Sequence, residues 1–426
     1  MNSQNKNYLT IYSYICILYL ASLIFLYPYG ITVGSNNSIR ITDIFPVILL
    51  FMGSLYILRY KGIRKNIFLF LIIPLFILEL VLPVVGSVEY GASSVGSAFR
   101  IILNYSPFLL YSLICTTEET VKVNLMVHKV LKLGLIVNFV YSTVQILIVY
   151  GFLPKQLLLQ QYLVNFAVDG HYKIVDGVRA SGTFNNGIEL SIFGVLAFCY
   201  FQSKLISKYS VSDLMYLLIS ILVVALSNTR TAMLAIAIIF IISFIFSPIS
   251  IIKKMKIVLS VSFPLLIFFL IVGSFIDLED IFYRVVRLGE GLGSDYSFSY
   301  RTNVIWPYVL EALQIYPVGT LTQPYNIFGV IDSGYLSYFA QGKWLFVLAL
   351  LILIVGTILV ATYILLKSKV EYKWVSLGLI FTIIYISFAL VVYNLLRNPI
   401  VIAFILLYLV NLNFISTNSF GNRKKE

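Results

Sequence analysis

Long apolar runs separated by short polar connections dominate this chain, and the length of those runs carries more information than their periodicity. A helix needs about 20 apolar residues to cross the hydrocarbon layer of a bilayer, and somewhat fewer where the bilayer adapts to it. Twelve runs qualify: residues 8–29, 41–58, 67–85, 101–115 and 133–152, then 184–201, 214–227, 231–246 and 257–275, and finally 344–366, 374–393 and 399–412. The pattern predicts an all-α, polytopic integral membrane protein of about twelve transmembrane helices, built as a single transmembrane domain over residues 1–426. The first run lacks a small-residue cleavage site and is followed by many more, so it reads as a retained helix and not as a signal peptide.

Two polar intervals are too long to be simple turns, residues 153–183 and 276–343. Within the second, Val304, Ile305, Tyr308, Val309, Ala312, Leu313 and Tyr316 recur at helical spacing until Pro317 and Gly319 stop the pattern. This predicts an amphipathic helix. Either it lies on the membrane surface with Trp306 and Tyr308 at headgroup depth, or it packs down on the bundle, and periodicity does not separate the two.

Composition agrees with the pattern: 60% of the residues are hydrophobic and only 11% charged, which excludes an ordinary soluble domain. A net charge of +12 raises nucleic acid as a partner, but the basic residues sit in short clusters between apolar runs and not along one helix face. Topology explains them better. With the N-terminus inside, 19 of the 30 basic residues fall in short loops on the cytoplasmic side, which predicts that both termini are cytoplasmic. Sixteen of those 19 are lysine, whereas eight of the eleven on the outer side are arginine: Arg40, Arg100, Arg179, Arg230, Arg284, Arg287, Arg301 and Arg397. The positive-inside rule does not distinguish lysine from arginine, so the outer preference needs its own reason. A guanidinium fork grips phosphate oxygens bidentately and tolerates partial desolvation. Pairing with outer carboxylates such as Glu89, Asp169, Asp176 and Glu290 is the structural alternative.

Arg230, in Ser227-Asn228-Thr229-Arg230, and Arg397, in Asn394-Leu395-Leu396-Arg397-Asn398, each stand in a very short outer connection. Ionisable residues held against a membrane bundle are costly and often functional, with snorkelling to headgroups as the alternative. Asp332 precedes Ser333-Gly334-Tyr335 and an apolar run, so it is either an N-cap or a carboxylate able to take a proton from a hydroxyl group. Glu79 and Glu189 fall within or at the edge of spans and need partners. The run Asp277-Leu278-Glu279-Asp280 reads as a solvated helix end and the alternating Gly289, Gly291 and Gly293 as a hinge. Two histidines, His128 and His171, lie on opposite sides of the membrane in this topology, and Cys16, Cys115 and Cys199 sit in or at the ends of apolar runs as packing residues. No metal site and no cofactor is signalled.

Three stretches carry a resemblance. Val178-Arg179-Ala180-Ser181-Gly182-Thr183-Phe184, Leu226-Ser227-Asn228-Thr229-Arg230-Thr231-Ala232, and Ser299-Tyr300-Arg301 with Trp306 resemble the O-antigen polymerase and ligase superfamily. The resemblance covers the whole chain as topology and these short motifs in detail. It implies an inner-membrane glycosyltransferase acting on undecaprenyl-pyrophosphate-linked oligosaccharide at the outer face, without nucleotide sugar or obligatory metal, with membrane lipids around it and a chain-length regulator protein as partner. Ligase members carry a histidine in the large loop near the position of Asp332; this chain has none there, which favours polymerase over ligase and leaves the general base open. By that resemblance Arg179, Arg230 and Arg301, with Arg284 and Arg287 as further candidates, bind the pyrophosphate and stabilise the leaving group. Arg230, Arg301 and Asp332 form the catalytic set, and Trp306 stacks on a sugar ring. A flippase or transporter for a lipid-linked saccharide is the alternative of a different class. Transporters commonly show internal repeats and broken helices, and neither is visible in the sequence.

Overall fold

The structure is a computed structural model that describes residues 3–26, 29–33, 37–60, 63, 66–90, 92–157, 179–246, 250–274, 299–329, 331–369 and 372–421. Arg284, Arg287, His171, the acidic run at 277–280 and the glycines at 289–293 lie outside the described residues, as do Asp169, Asp176 and Glu290.

Every one of the twelve apolar runs contains a helix. In chain order these are α1 (Ser3–Phe25), α2 (Ile44–Tyr60), α3 (Ile73–Tyr90), α4 (Ala92–Ile114), α5 (Thr117–Val149), α6 (Gly187–Ser207), α7 (Val211–Leu226), α8 (Arg230–Phe246) and α9 (Ile251–Gly273). The large polar interval contributes α10 (Trp306–Ala312) and the single turn α11 (Tyr325–Phe328). The bundle closes with α12 (Gly334–Leu351), α13 (Thr357–Lys367), α14 (Lys373–Ala389) and α15 (Pro399–Gly421). Six helical segments are long and apolar enough to cross a membrane, and five shorter apolar helices accompany them among the described residues. One element departs from the all-α expectation: β1 (Gly30–Val33) and β2 (Asn37–Arg40) form an antiparallel hairpin between α1 and α2, with Gly30 opposite Arg40.

Burial sorts the helices. A helix that is apolar all round belongs inside, and α6 and α15 meet that test, with 89% and 83% of their most apolar stretches buried against 28% for α2. Around α6 pack α7, α14 and α8, while α15 lies against α4 and α14. The three cysteines are all buried in this packing, as their positions predict.

The break in α12 was not foreseen. Gly342 and Lys343 have non-helical backbone angles, and Lys343 sits at φ 49°, so Gly334–Gln341 is a separate two-turn piece. Carbonyls freed by a break must find donors. Here the large loop supplies them: Thr320 N–H donates to Ala340 O at 2.8 Å, and Leu321 N–H to Gln341 O at 2.9 Å. Gly319 allows the approach, since it has φ +92° and a Cβ there would lie 2.6 Å from Gln341 O.

The helix expected in the large loop is present, entered by a π turn at Arg301–Ile305 and closed by a 3-10 turn at Leu313–Ile315. It packs down on the bundle: Val309 and Leu313 are buried with Ala340 of α12, and Ile305, Tyr316, Leu336 and Phe339 close around them. Val304 and Tyr308, which the periodicity assigned to the apolar stripe, are instead exposed. Lys343 Nζ donates to Leu313 O at 2.9 Å and ties the end of this helix to the break.

Candidate functional site

Residues 179–186 form an irregular, turned segment that leads into α6, with Phe184 N–H donating to Ser181 O at 3.0 Å. Two amides of α5 hold them. Gln145 Oε1 accepts from the N–H groups of Ser181 and Gly182, both at 2.9 Å, and its Nε2 donates to Ser181 Oγ at 3.1 Å. Asn138 Oδ1 accepts from Thr183 N–H at 2.8 Å. Gly182, at φ +57°, turns the chain between these anchors. Both amides are fully buried, and the sequence reading passed over them. A signal existed: Asn138, Ser142 and Gln145 repeat at i, i+4 and i+7, a polar stripe on one face of an otherwise apolar helix.

This segment lies on the α7–α8 turn. Ala180 N–H donates to Leu226 O at 3.0 Å, and Arg179 Nη2 reaches Thr229 Oγ1 at 3.5 Å. Asn228 takes the left-handed conformation at φ 49°, which lets four residues reverse the chain, and Arg230 becomes the first residue of α8. The structure therefore brings Arg179 next to the turn that carries Arg230. Asn186 caps α6 by accepting from Glu189 N–H at 2.9 Å, while Glu189 Oε2 accepts from Asn185 N–H at 3.2 Å. Glu189 is thus engaged at its own helix start.

A second group forms on α10 and α12. Arg301 Nε donates to Asp332 Oδ2 at 3.0 Å, with the two side chains 21% and 38% exposed. The cap of α12 is not Asp332 but its neighbour: Ser333 Oγ accepts from Leu336 N–H at 3.3 Å, which leaves the Asp332 carboxylate outside the helix and on the arginine. Aspartate and serine are equally good caps, so sequence alone left the cap role of Asp332 open, and the structure gives it to Ser333. Gly334 N–H and Tyr335 N–H both donate to Leu390 O, fixing the start of this short helix on the end of α14. Beside the ion pair opens an apolar groove of about 580 Å³, lined by Trp306 and Leu310 of the loop helix, by Ser333, Tyr335, Leu336 and Phe339 of the two-turn piece, and on past Trp344 to Ile354. Trp306 is therefore a wall of this groove.

The first group is built on the α7–α8 turn and the second on the elements around the start of α12. They are joined through α14, which packs on α6 and α8 and whose last turn carries Gly334.

Arg397 turns inward, contrary to snorkelling. Its Nε donates to Glu79 Oε1 at 3.1 Å, its Nη2 hydrogen-bonds Gln341 Oε1, and its guanidinium stands 5.5 Å from the centre of the Tyr338 ring. Glu79 is fully buried and Arg397 only 21% exposed. The alternative of carboxylate pairing thus holds for Arg301, Arg397 and, at 3.9 Å to Asp43, Arg100, although with partners other than those named from the sequence.

In chemical terms, a guanidinium and a carboxylate side by side at the edge of an apolar groove suit an amphiphile with an anionic head: the groove takes the tail, the arginine the charge, and the carboxylate can orient or deprotonate a hydroxyl group. No protein-family model and no curated protein matches this chain.

Proposed function

We propose that this chain is a polysaccharide polymerase of the O-antigen class: a membrane glycosyltransferase that joins oligosaccharide repeat units carried on a polyprenyl pyrophosphate. In this reading twelve helices cross the cytoplasmic membrane, both termini are cytoplasmic, and residues 276–343 lie outside. The observation that carries it is the Arg301–Asp332 pair beside the apolar groove, because a lipid-linked sugar substrate needs an apolar channel, an anion clamp and a base within one site.

The acceptor hydroxyl oxygen attacks the anomeric carbon of the donor, its proton passes to the Asp332 carboxylate, and the bond from the anomeric carbon to the pyrophosphate breaks. The leaving pyrophosphate gains negative charge, which preorganised arginines stabilise more strongly than water does. Arg301 takes that role at the groove, and Arg179 and Arg230 bind the phosphates or glycan of the second lipid-linked unit.

One observation favours a second reading. The break at Gly342–Lys343 beside a buried ion pair is a feature of transporters that move ions or lipid-linked saccharides. Carbohydrate staining of surface polysaccharide from a strain lacking the protein separates the two. A polymerase predicts loss of the ladder with one repeat unit still attached to its acceptor, whereas absence of even that unit refutes polymerisation and assigns flipping or ligation.

A further inference from the structure

Away from the arginines, at the far end of α6, a second charged cluster has no role in the reaction above. It draws on four helices: His128 and Lys132 of α5, Tyr200 and Lys204 of α6, Ser212, Asp213 and Tyr216 of α7, and Trp374 of α14. Lys204 lies 17 residues beyond Gly187, so at 1.5 Å per residue it stands about 25 Å along α6 from the α7–α8 turn.

The geometry fixes the state of the histidine. An ammonium group has donors only, so at 3.4 Å from Lys204 Nζ the Nδ1 of His128 accepts. Its Nε2 then carries the hydrogen and faces Asp213 Oδ1 at 3.8 Å. The ring is neutral in this arrangement, which leaves two ammonium groups and one carboxylate. That carboxylate serves the histidine, and neither lysine has a carboxylate within 4.0 Å among the described residues.

Lys204 is held by rings in place of an acid, with Nζ at 5.1 Å from the centre of Tyr200 and 5.3 Å from that of Trp374. Lys132 Nζ donates to Ser212 Oγ at 2.8 Å and stands over Tyr216 at 4.7 Å. Across this cluster Asp213 attracts Lys204 while Lys132 repels it. Two ammonium groups against a single carboxylate leave an excess of positive charge, and with N–H donors to spare and aromatic rings around them they match the chemistry that captures a phosphate at headgroup depth.

We infer that Lys132, Lys204 and Ser212 form a binding site for a phosphate group, and that its occupant is the headgroup of an anionic lipid. The lysines supply charge-assisted hydrogen bonds to the phosphate oxygens, Ser212 a neutral one, and the rings of Tyr216 and Trp374 border the glycerol region. The inference does not rest on the proposed reaction.

The test uses the full chain purified in detergent. Retention of phosphatidylglycerol and phosphatidylcholine is compared by native mass spectrometry, and inorganic phosphate is added as competitor. The wild type is expected to prefer phosphatidylglycerol. Lys204→Gln, and separately the more exposed Lys132→Gln, each weaken that preference roughly tenfold, the loss expected for one hydrogen bond to a charged group. Lys367→Gln, which removes another lysine stacked on a tyrosine, leaves it unchanged. Unchanged phosphatidylcholine retention in both variants shows that the fold survives. If inorganic phosphate binds and Lys204→Gln abolishes it without any lipid preference, the phosphate site stands and its occupant is a soluble phosphate ester. Equal retention of both lipids by the wild type together with no phosphate binding, or a preference that survives both substitutions, overturns the inference.

Discussion

Replacing Glu79 with glutamine tests whether the buried charge pair holds the helix break in place. The substitution keeps size and one hydrogen-bond acceptor but removes the carboxylate that holds Arg397. At 3.1 Å and an effective dielectric of about 20, the lost attraction is roughly 5 kcal/mol. Breaking a buried pair from one side costs about 3–5 kcal/mol in general, because an uncompensated charge remains. Arg397 keeps 21% of its side chain exposed, and water at that edge places the expected loss near the lower figure, about 3 kcal/mol. The double variant Glu79→Gln/Arg397→Gln leaves no orphan charge, so its loss falls short of the sum of the two single losses by about 2 kcal/mol or more. Reversible unfolding of the detergent-solubilised protein in a denaturant series measures all four states. Strict additivity of the two substitutions, or a Glu79→Gln variant within about 0.5 kcal/mol of the wild type, refutes the reasoning.

Three further outcomes follow from other contacts. Gln145→Ala leaves two buried N–H groups without an acceptor, at about 1–3 kcal/mol each, so it lowers stability by roughly 2–6 kcal/mol in the same unfolding series. Asp332→Asn and Arg301→Ala each cut polymer formation about 10²-fold or more while the protein remains in the membrane, as read by a polymerisation assay on lipid-linked repeat units; wild-type rates in both variants dispose of the proposed site. Gly319→Ala places a methyl 2.6 Å from Gln341 O at φ +92° and costs about 1–3 kcal/mol through strain, visible as a lower unfolding midpoint and as faster proteolysis of the 313–324 loop.

What the sequence made legible is what the bilayer dictates. Each of the twelve apolar runs contains a helix, and six helical segments among the described residues are long and apolar enough to cross a membrane. The motif stretches at 179–183 and 226–230 did prove to touch, and the pairing of Arg301 with Asp332 joins two residues singled out separately. Illegible were the partners that depend on how helices assemble. Glu79 and Arg397 are 318 positions apart, and nothing local says which carboxylate meets which arginine. The break at Gly342–Lys343 was hidden for a similar reason. No proline marks it, and a lone glycine before a lysine is compatible with an unbroken helix until the loop offers Thr320 and Leu321 as alternative donors. The exposed Val304 and Tyr308 show the same limit, since periodicity finds a stripe but not which of its edges a neighbour covers.

The α14–α15 connection is where these separate features become one mechanical unit. Its first residues hold the start of the two-turn helix, through Leu390 O on Gly334 and Tyr335, and its last arginine holds the other end, through Gln341. Asp332 stands immediately before that helix, and the groove runs along its side. Both pins come from the same nine-residue stretch, 390–398, while Glu79 anchors that stretch to α3. The position of Asp332 relative to Arg301 is therefore set by packing far from either residue. A long polar loop keeps one shape only if its buried backbone groups are satisfied from several directions. Here the break in α12, the loop's backbone and the Glu79–Arg397 pair each satisfy groups that the others leave open. The cost of burying a charge pair is offset by fixing a segment whose own apolar cluster, around Val309 and Leu313, is small and whose other anchors are backbone hydrogen bonds.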